Sequence, residues 1–303
     1  MKKLLLILLC LPMIGFGQLT MIPDANFEQE LINLGYDVNP VNGFVYTAMI
    51  NTITYLDVTS LSISDLTGIE DFDSLEILKC AANQLTSLDV SNNTALTYLD
   101  CEYNPLISLD VSNNTDLRYL NCNFNSIVNL DVSNNINLDS LLCSDNQLTS
   151  LDVSQNNSLT YLNFEGLYVY GMITSLNLSG ANALMYLNCG YNLLTSLDVS
   201  NNLALTYLRC GGNSFQSLDV SNNTALTYLD CYAENNWGMN QINSLDVNGA
   251  TALQYLDCSR NPLTSLNVSN NINLDSLLCS YGQLTSLDVS QNNSLTYLNC
   301  SYN

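Results

Sequence analysis

Apolar residues recur along most of the chain at positions one, four, six and eleven of a short block that returns at a nearly fixed interval. The first leucine of this block stands at 75, 96, 117, 138, 159, 184, 205, 226, 253, 274 and 295. Eight of the ten intervals are 21 residues, and the other two are 25 and 27. A fixed period of this length predicts a solenoid in which each repeat forms one coil.

Each coil consists of two similar halves, such as LTYLDCEYN (96–104) and LTSLDVSNN (85–93). In the first half, alternation places Leu99 and Cys101 inside and Tyr98 outside, which is typical of a short strand with one buried face. The second half alternates in the same way and has no helical period. We therefore predict a mainly β, right-handed solenoid of about twelve coils, with a sheet of short parallel strands on each side.

Asparagine ends both halves, where the chain must turn. Its side chain can bond to turn backbone groups in its own coil and in a neighbouring coil, and we interpret both sets as structural. The first corner contains Asn83, Asn104, Asn125, Asn146, Asn192, Asn213 and Asn261, and the second contains Asn93, Asn114, Asn135, Asn156, Asn202, Asn223, Asn271 and Asn292.

The sequence predicts three consecutive regions, of which the last is the repeat array. Lys2, Lys3 and an apolar run predict that residues 1–17 are an export signal, and no later stretch is apolar enough to span a membrane. Residues 18–52 are predicted to cap the solenoid with a helix between Ile22 and Gly35, started by a capping pair of Asn26 and Gln29. The predicted buried face of this helix consists of Phe27, Leu31 and Leu34. The array itself, 53–303, reaches Asn303 in mid-repeat, and we expect its C-terminal end to be incomplete.

Charge and composition exclude several functions. The chain has a formal net charge of −22 and no histidine. An acidic surface repels phosphates, so we predict no nucleic-acid partner, and histidine-dependent triads are impossible. Acidic pairs such as Asp100 and Glu102 face solvent in many copies rather than one pocket. We predict no enzymatic activity and no cofactor.

Ten cysteines share the third apolar position of the block, which Phe164 and Val58 occupy in other copies. A position that accepts phenylalanine or valine is a packing position, and in-register strands about 4.8 Å apart suit disulfides poorly. We predict free, buried thiols, with disulfides or metal as the less favoured alternative. The ten are Cys80, Cys101, Cys122, Cys143, Cys189, Cys210, Cys231, Cys258, Cys279 and Cys300.

One outward position of the first strand is tyrosine in most coils, and we call this set the tyrosine column. Tyrosine combines contact area with a hydrogen-bonding tip, which suits recognition of a protein or a glycan, whereas high strand propensity is the structural alternative. Ser140 and Ser276 interrupt it. The tyrosine column comprises Tyr98, Tyr119, Tyr161, Tyr186, Tyr207, Tyr228, Tyr255 and Tyr297. Insertions at 165–172 and 232–240 extend the predicted binding surface, or reflect neutral growth; they add Tyr168, Tyr170, Tyr232 and Trp237.

Aspartate fills the matching position of the second half. It can serve the local turn, and calcium bridging between coils is a minority alternative. The residues concerned are Asp89, Asp110, Asp131, Asp152, Asp198 and Asp219.

The pattern L-x-x-L-x-C-x-x-N-x-L resembles the leucine-rich repeat motif. The segments IPDANFEQELINLGYD, DLTGIEDF and LTSLDVSNN resemble internalin-like surface proteins, most closely those of the Bacteroidetes. This resemblance implies a non-enzymatic scaffold, secreted or at the cell surface, that binds a protein or a glycan. Two alternatives stay open: the targeting region of a larger secreted enzyme, and a calcium-stabilised structural surface protein.

Overall fold

A computed structural model describes residues 17–166, 171–233 and 241–303. The predicted export signal therefore lies almost wholly outside the described residues. So do three of the predicted binding residues, namely Tyr168, Tyr170 and Trp237.

A small cap opens the described chain. It consists of β1 (Leu19–Met21), α1 (Ala25–Asn33), β2 (Phe44–Tyr46) and α2 (Thr47–Ile50), and β1 pairs antiparallel with β2. Phe27 and Leu31 of α1 are fully buried, and the Phe27 ring stacks on Phe72 in the first part of the array at a centroid distance of 6.2 Å. The predicted helix thus covers the open end of the apolar core.

The predicted start of this helix was wrong. Asp24 caps α1, since its carboxylate accepts the amides of Asn26 and Phe27 at 2.9 and 3.1 Å. The other carboxylate oxygen accepts the amide and hydroxyl of Ser64 at 2.8 and 2.9 Å, so the same side chain also fastens the cap to the array. Leu34, predicted to be buried, is 45% exposed because it lies at the end of the helix, beyond the buried face.

The array is built from three-residue strands. A 3-10 helix spans Ile69–Asp71. The strands are β3 (Tyr55–Asp57), β4 (Ile77–Lys79), β5 (Tyr98–Asp100), β6 (Tyr119–Asn121), β7 (Ser140–Leu142), β8 (Ser150–Asp152), β9 (Tyr161–Asn163), β10 (Ser175–Asn177), β11 (Tyr186–Asn188), β12 (Tyr207–Arg209), β13 (Ser217–Asp219), β14 (Tyr228–Asp230), β15 (Ser244–Asp246), β16 (Tyr255–Asp257), β17 (Ser276–Leu278) and β18 (Tyr297–Asn299).

One side of the solenoid is a continuous parallel sheet of twelve strands, in the order β3-β4-β5-β6-β7-β9-β11-β12-β14-β16-β17-β18. Each of these strands belongs to a different coil, and the predicted solenoid of short parallel strands is confirmed. The central leucine of each strand lies directly opposite that of its neighbour, as Leu208 lies opposite Leu187 and Leu229. Strict register is what fixes every outward side chain in a column.

The prediction of a second full sheet was wrong. On that side, among the described residues, β8 pairs with β10, β13 pairs with β15, and Asp89 forms an isolated bridge with Asp110. Each two-stranded pair flanks one of the two longer coils. In both kinds of coil the aspartate carboxylate accepts the amide two residues ahead, as Asp110 does from Ser112 at 2.9 Å and Asp152 of β8 does from Ser154 at 2.8 Å. This bond therefore does not decide where strands pair on this side.

The two asparagine corners are built differently. Asn104 accepts the amide of Leu85, donates to Cys80 of the preceding coil, and donates to Cys101 and Glu102 of its own coil. At the second corner, the side-chain amide of Asn114 donates to the carbonyls of Val90 and Asn93, both in the preceding coil. The asparagines therefore join each coil to the one before it.

Among the described residues, nine of the predicted packing cysteines are buried and Cys300 is exposed, and none of the ten forms a disulfide. The prediction of buried thiols is thus confirmed for nine and wrong for Cys300, which is exposed in the structure. Burial raises the pKa of the Cys122 thiol to about 12. Phe164 and Val58, which take the same position, are also buried.

Candidate binding surface

The tyrosine column forms as predicted on the continuous sheet. Strands β9, β11, β12, β14 and β16 bring five of its members into register, namely Tyr161, Tyr186, Tyr207, Tyr228 and Tyr255. Successive ring centroids are 4.3 to 4.5 Å apart, and the ring planes differ by 4 to 8°. Tyr98 and Tyr119 form a separate stacked pair at 4.2 Å.

Stacking decides which part of each tyrosine is available. Within the run of five, neighbouring rings cover each other's faces, so the ring edges and hydroxyls form the outer surface. All five side chains are half-buried. Burial, followed by the neighbouring phenols, raises the pKa of Tyr207 to about 12. The run is therefore a neutral, rigid strip at physiological pH.

The tyrosine column is interrupted at two strands, and a similar gap lies just before its first member. Ser140 lies between Tyr119 and Tyr161, and Ser276 lies between Tyr255 and Tyr297. In the first part of the array, Ile77 lies between Tyr55 and Tyr98. Each interruption separates two rings by a whole coil.

A second aromatic column escaped the sequence analysis. It stands at the first corner, where the residue before the corner asparagine adopts a left-handed conformation, as Tyr103 and Phe124 do at φ 51° and 53°. These two rings stack at 4.2 Å, and Tyr281 stacks on Tyr302 at 4.4 Å. The signal was present in blocks such as LDCEYN and LNCNFN, where an aromatic residue directly precedes the corner asparagine.

Basic side chains lie against these aromatic columns. Arg209 forms ion pairs with Glu165 at 2.5 Å and Asp230 at 3.3 Å, and its guanidinium carbon is 5.6 Å from the ring centroid of Tyr191. Glu165, the first residue of the shorter insertion, is buried and also accepts the side-chain amide of Asn188 at 2.9 Å. The base of that insertion is thereby tied to the sheet that carries the tyrosine column.

The other predicted residues are spread along the same surface. Tyr297 lies in the last strand and is 52% exposed. Tyr232, at the base of the longer insertion, is half-buried, and the guanidinium carbon of Arg260 lies 5.6 Å from its ring centroid.

The aspartates of the opposite side serve the turns of their own coils. The carboxylate of Asp198 accepts the amide of Ser200 at 3.0 Å, and that of Asp219 accepts the amide of Ser221 at 2.8 Å. Hydrogen bonds from Ser200 hold the pKa of Asp198 below its usual value. Within residues 17–166, 171–233 and 241–303, no group of three or more potential metal ligands comes together. The same residues contain no helix that is long and apolar enough to cross a membrane.

The stacked parallel strands, the asparagine corners and the helical cap define a leucine-rich repeat solenoid. No protein-family model matches the chain. The chain is similar to the solved functional domain of InlJ from Listeria monocytogenes, which is described as including a cysteine ladder. The two are 39% identical with a TM-score of 0.83, over 94% of this chain and 62% of that domain.

Two further comparisons agree. Internalin J of Listeria monocytogenes serotype 4b (strain F2365) is 39% identical over 72 residues, which are 24% of this chain and 8% of that protein. The internalin InlF of Listeria monocytogenes shares the fold, with 22% identity and a TM-score of 0.64 over 93% of this chain and 95% of that one. The chain thus has a leucine-rich repeat fold similar to that of internalins, and it spans less than two thirds of the InlJ domain and of internalin J. Proteins of this kind are generally non-enzymatic.

Proposed function

We propose that this chain is the recognition part of an exported, non-catalytic surface protein, and that it binds a protein ligand along the tyrosine column. The observation that carries the proposal is the run of five stacked tyrosines on one rigid sheet. Tyrosine is enriched among the anchors of protein interfaces, because it offers a large area with few rotatable bonds. A scaffold that holds the rings in register loses little entropy on binding.

The stacking favours a protein over a glycan. A sugar ring packs against an exposed aromatic face, whereas the faces within the run are covered by neighbouring rings. Hydroxyls and ring edges instead suit backbone and side-chain groups of a polypeptide. The opposite side of the solenoid repeats one Ser-x-Asp pattern whose carboxylates already accept turn amides. That uniform side offers little to distinguish one partner from another.

Export and display at the cell surface rest on separate support. Residues 1–17 combine two lysines, an apolar run and small residues in the order of a secretory signal. Internalins are surface or secreted proteins, and a scaffold without catalytic groups acts only where it can meet a partner.

The proposal can be tested on an array of extracellular and matrix proteins probed with the purified chain. Replacing Tyr207 and Tyr228 together with serine removes two central anchors, each worth about 2 kcal/mol, and should weaken capture at least tenfold. Serine already occupies this position at 140 and 276, so the fold should be retained.

The matched control replaces Asp198 and Asp219 with asparagine on the opposite side, where Asn177 already caps the same turn. This variant should bind as the original chain does. Loss of capture in the aspartate variant, with capture retained in the tyrosine variant, would contradict the proposal and place the binding surface on the side that carries the aspartates. Capture of glycans in a parallel glycan array, but of no protein, would replace the protein ligand with a carbohydrate.

A further inference from the structure

Just before the tyrosine column begins, a lysine of the chain itself lies over two tyrosine rings that are separated by one strand. At β4, Ile77 replaces tyrosine between Tyr55 and Tyr98. Two residues further along that strand, the ammonium nitrogen of Lys79 lies 5.8 Å from the centroid of each of these rings. This distance is within the range of a cation–π interaction. A gap between two tyrosines is therefore a place where this surface accepts positive charge.

The two serine interruptions of the tyrosine column also lie between two tyrosine rings, but their strands carry different side chains. In β7 and β17 the residue corresponding to Lys79 is leucine, Leu142 or Leu278, and the residue between the rings is a small serine. We call Tyr119, Ser140 and Tyr161 the Ser140 slot, and Tyr255, Ser276 and Tyr297 the Ser276 slot. The flanking strands are two steps of about 4.8 Å apart, so a planar group in the middle would lie about 4.8 Å from each ring. Adjacent rings of the tyrosine column are themselves 4.2 to 4.5 Å apart.

A carboxylate stands beside each slot. The Ser140 hydroxyl donates to Asp139 at 3.4 Å, and Thr160 of the next coil donates to the same carboxylate at 2.7 Å. The Ser276 slot repeats this arrangement with Asp275, at 3.4 Å from the Ser276 hydroxyl and 2.6 Å from that of Thr296. Both slots thus combine two aromatic walls with a fixed negative charge.

The basic residues show which chemistry fits such walls. After residue 17 the sequence has four of them, Lys79, Arg118, Arg209 and Arg260. Three lie over tyrosine rings, and Arg260 contacts two: its guanidinium carbon is 4.8 Å from the ring centroid of Tyr281 and 5.6 Å from that of Tyr232. A guanidinium between two tyrosines is therefore an arrangement that this chain already contains.

We propose that the Ser140 and Ser276 slots each bind an arginine side chain of the protein partner. The guanidinium stacks between the two tyrosine rings, and its edge pairs with Asp139 or Asp275. Arginine fits better than lysine because its charged group is planar and stacks on both faces. It fits better than a neutral ring because the chain carries a net charge of −22 and places a carboxylate at each slot. This inference rests on the proposed protein-binding function and names the side chain that the partner presents.

The test fills the slots without removing any existing tyrosine. In the double variant Ser140→Tyr and Ser276→Tyr, the tyrosine column becomes continuous from 98 to 297, and the fold is retained because tyrosine occupies this position in most coils. The matched control adds tyrosines at Ser150 and Ser217, which are exposed on the opposite side. The probe is N-acetyl-arginine amide, titrated into tyrosine-labelled protein while the ring signals are followed by NMR. N-acetyl-citrulline amide is the uncharged planar comparison.

Arginine amide should shift the ring signals of Tyr119, Tyr161, Tyr255 and Tyr297 in the original chain and in the Ser150→Tyr, Ser217→Tyr control. The filled variant should bind it at least tenfold more weakly, and citrulline amide should bind the original chain at least tenfold more weakly. Equal shifts in the original and filled proteins, or equal binding of citrulline amide, would overturn the proposal. The titration needs no identified partner, so the slots can fail while protein capture through Tyr207 and Tyr228 stands.

Discussion

The side-chain amide of Asn104 donates to the carbonyl of Cys80 in the preceding coil at 3.0 Å. This bond joins two coils that are also linked by short strands, apolar contacts and the second-corner side chain of Asn114. Equivalent bonds run along the array, as from Asn125 to Cys101 and from Asn146 to Cys122. At the first corner, one buried asparagine side chain in each coil therefore makes the hydrogen bond to the coil before it.

Replacing Asn104 with alanine should lower the free energy of unfolding by about 2–3 kcal/mol, because buried backbone groups in two coils lose their partner. The neighbouring control is Asn113→Ala, since that exposed side chain donates to the carbonyl of Ser91 at 3.2 Å on the solvent-facing surface. The control should change stability by no more than about 0.5 kcal/mol. Urea unfolding followed by circular dichroism compares the two, and equal effects would contradict the structural role of the corner.

The cap depends on a buried carboxylate. Glu28 is fully buried and accepts the amides of Asn42 and Gly43 at 2.6 and 2.7 Å. Glu28→Gln turns one acceptor into a donor facing an amide, and should lower the free energy of unfolding by about 1.5–3 kcal/mol. Glu30→Gln, two residues further along α1 and on a less buried side chain, is the control with the same chemical change and should be nearly neutral. A similar melting temperature for both variants would show that Glu28 does not hold the loop.

The buried thiols should resist modification until the chain unfolds. For a chain that starts at residue 18, Ellman's reagent should find ten thiols in the unfolded, unreduced protein. In the native protein only the exposed Cys300 should react quickly, because burial keeps thiols such as Cys122 and Cys279 protonated, with pKa values of about 12 and 11. A count near zero after unfolding would instead mean that the cysteine column contains disulfides.

Alkaline titration should reveal the stacked phenols. Burial raises the pKa of Tyr161, Tyr207 and Tyr228 to about 12, whereas an unfolded tyrosine ionises near about 10. A pKa that is raised on folding contributes stability that is complete below about pH 10 and is lost as the pH rises towards about 12.

Absorbance at 295 nm should therefore show a group of tyrosines in the native protein that ionise later than in the urea-unfolded chain. The variant Tyr207→Phe keeps the ring and removes one phenol, so it should take one late-ionising group out of the curve. A native titration that coincides with the unfolded one would mean that the column is more open than the structure shows.

The main sheet could be predicted from the sequence because Tyr98, Leu99 and Cys101 alternate in a pattern that eleven copies repeat. A repeat also fixes which residues share a column, so the stacked tyrosines followed from the period alone. The start of α1 could not be predicted, because Asp24 and Asn26 are both good capping residues. The choice is made by Ser64, forty residues away, which bonds to Asp24.

The second sheet and the slots could not be predicted correctly because both depend on contacts between coils. The second sheet was expected because alternation around Leu88 matches that around Leu99, but alternation says nothing about whether neighbouring coils bond to each other. The Ser140 slot depends on Tyr119, one coil before the serine, and on Tyr161, one coil after it. A single repeat read along the chain does not contain that information, and stacking supplies it.

Residues 130–163 and 266–299 are nearly identical copies, and they carry the Ser140 and Ser276 slots into equivalent positions. Six strand steps separate β7 from β17, a distance of about 29 Å on a sheet that cannot change its spacing. A partner with two arginines at that distance would engage the second slot at a high effective concentration, whereas one with a single arginine would gain nothing from it. Because the copied block repeats the slot at a fixed distance, it strengthens binding only for a partner whose two arginines match that distance.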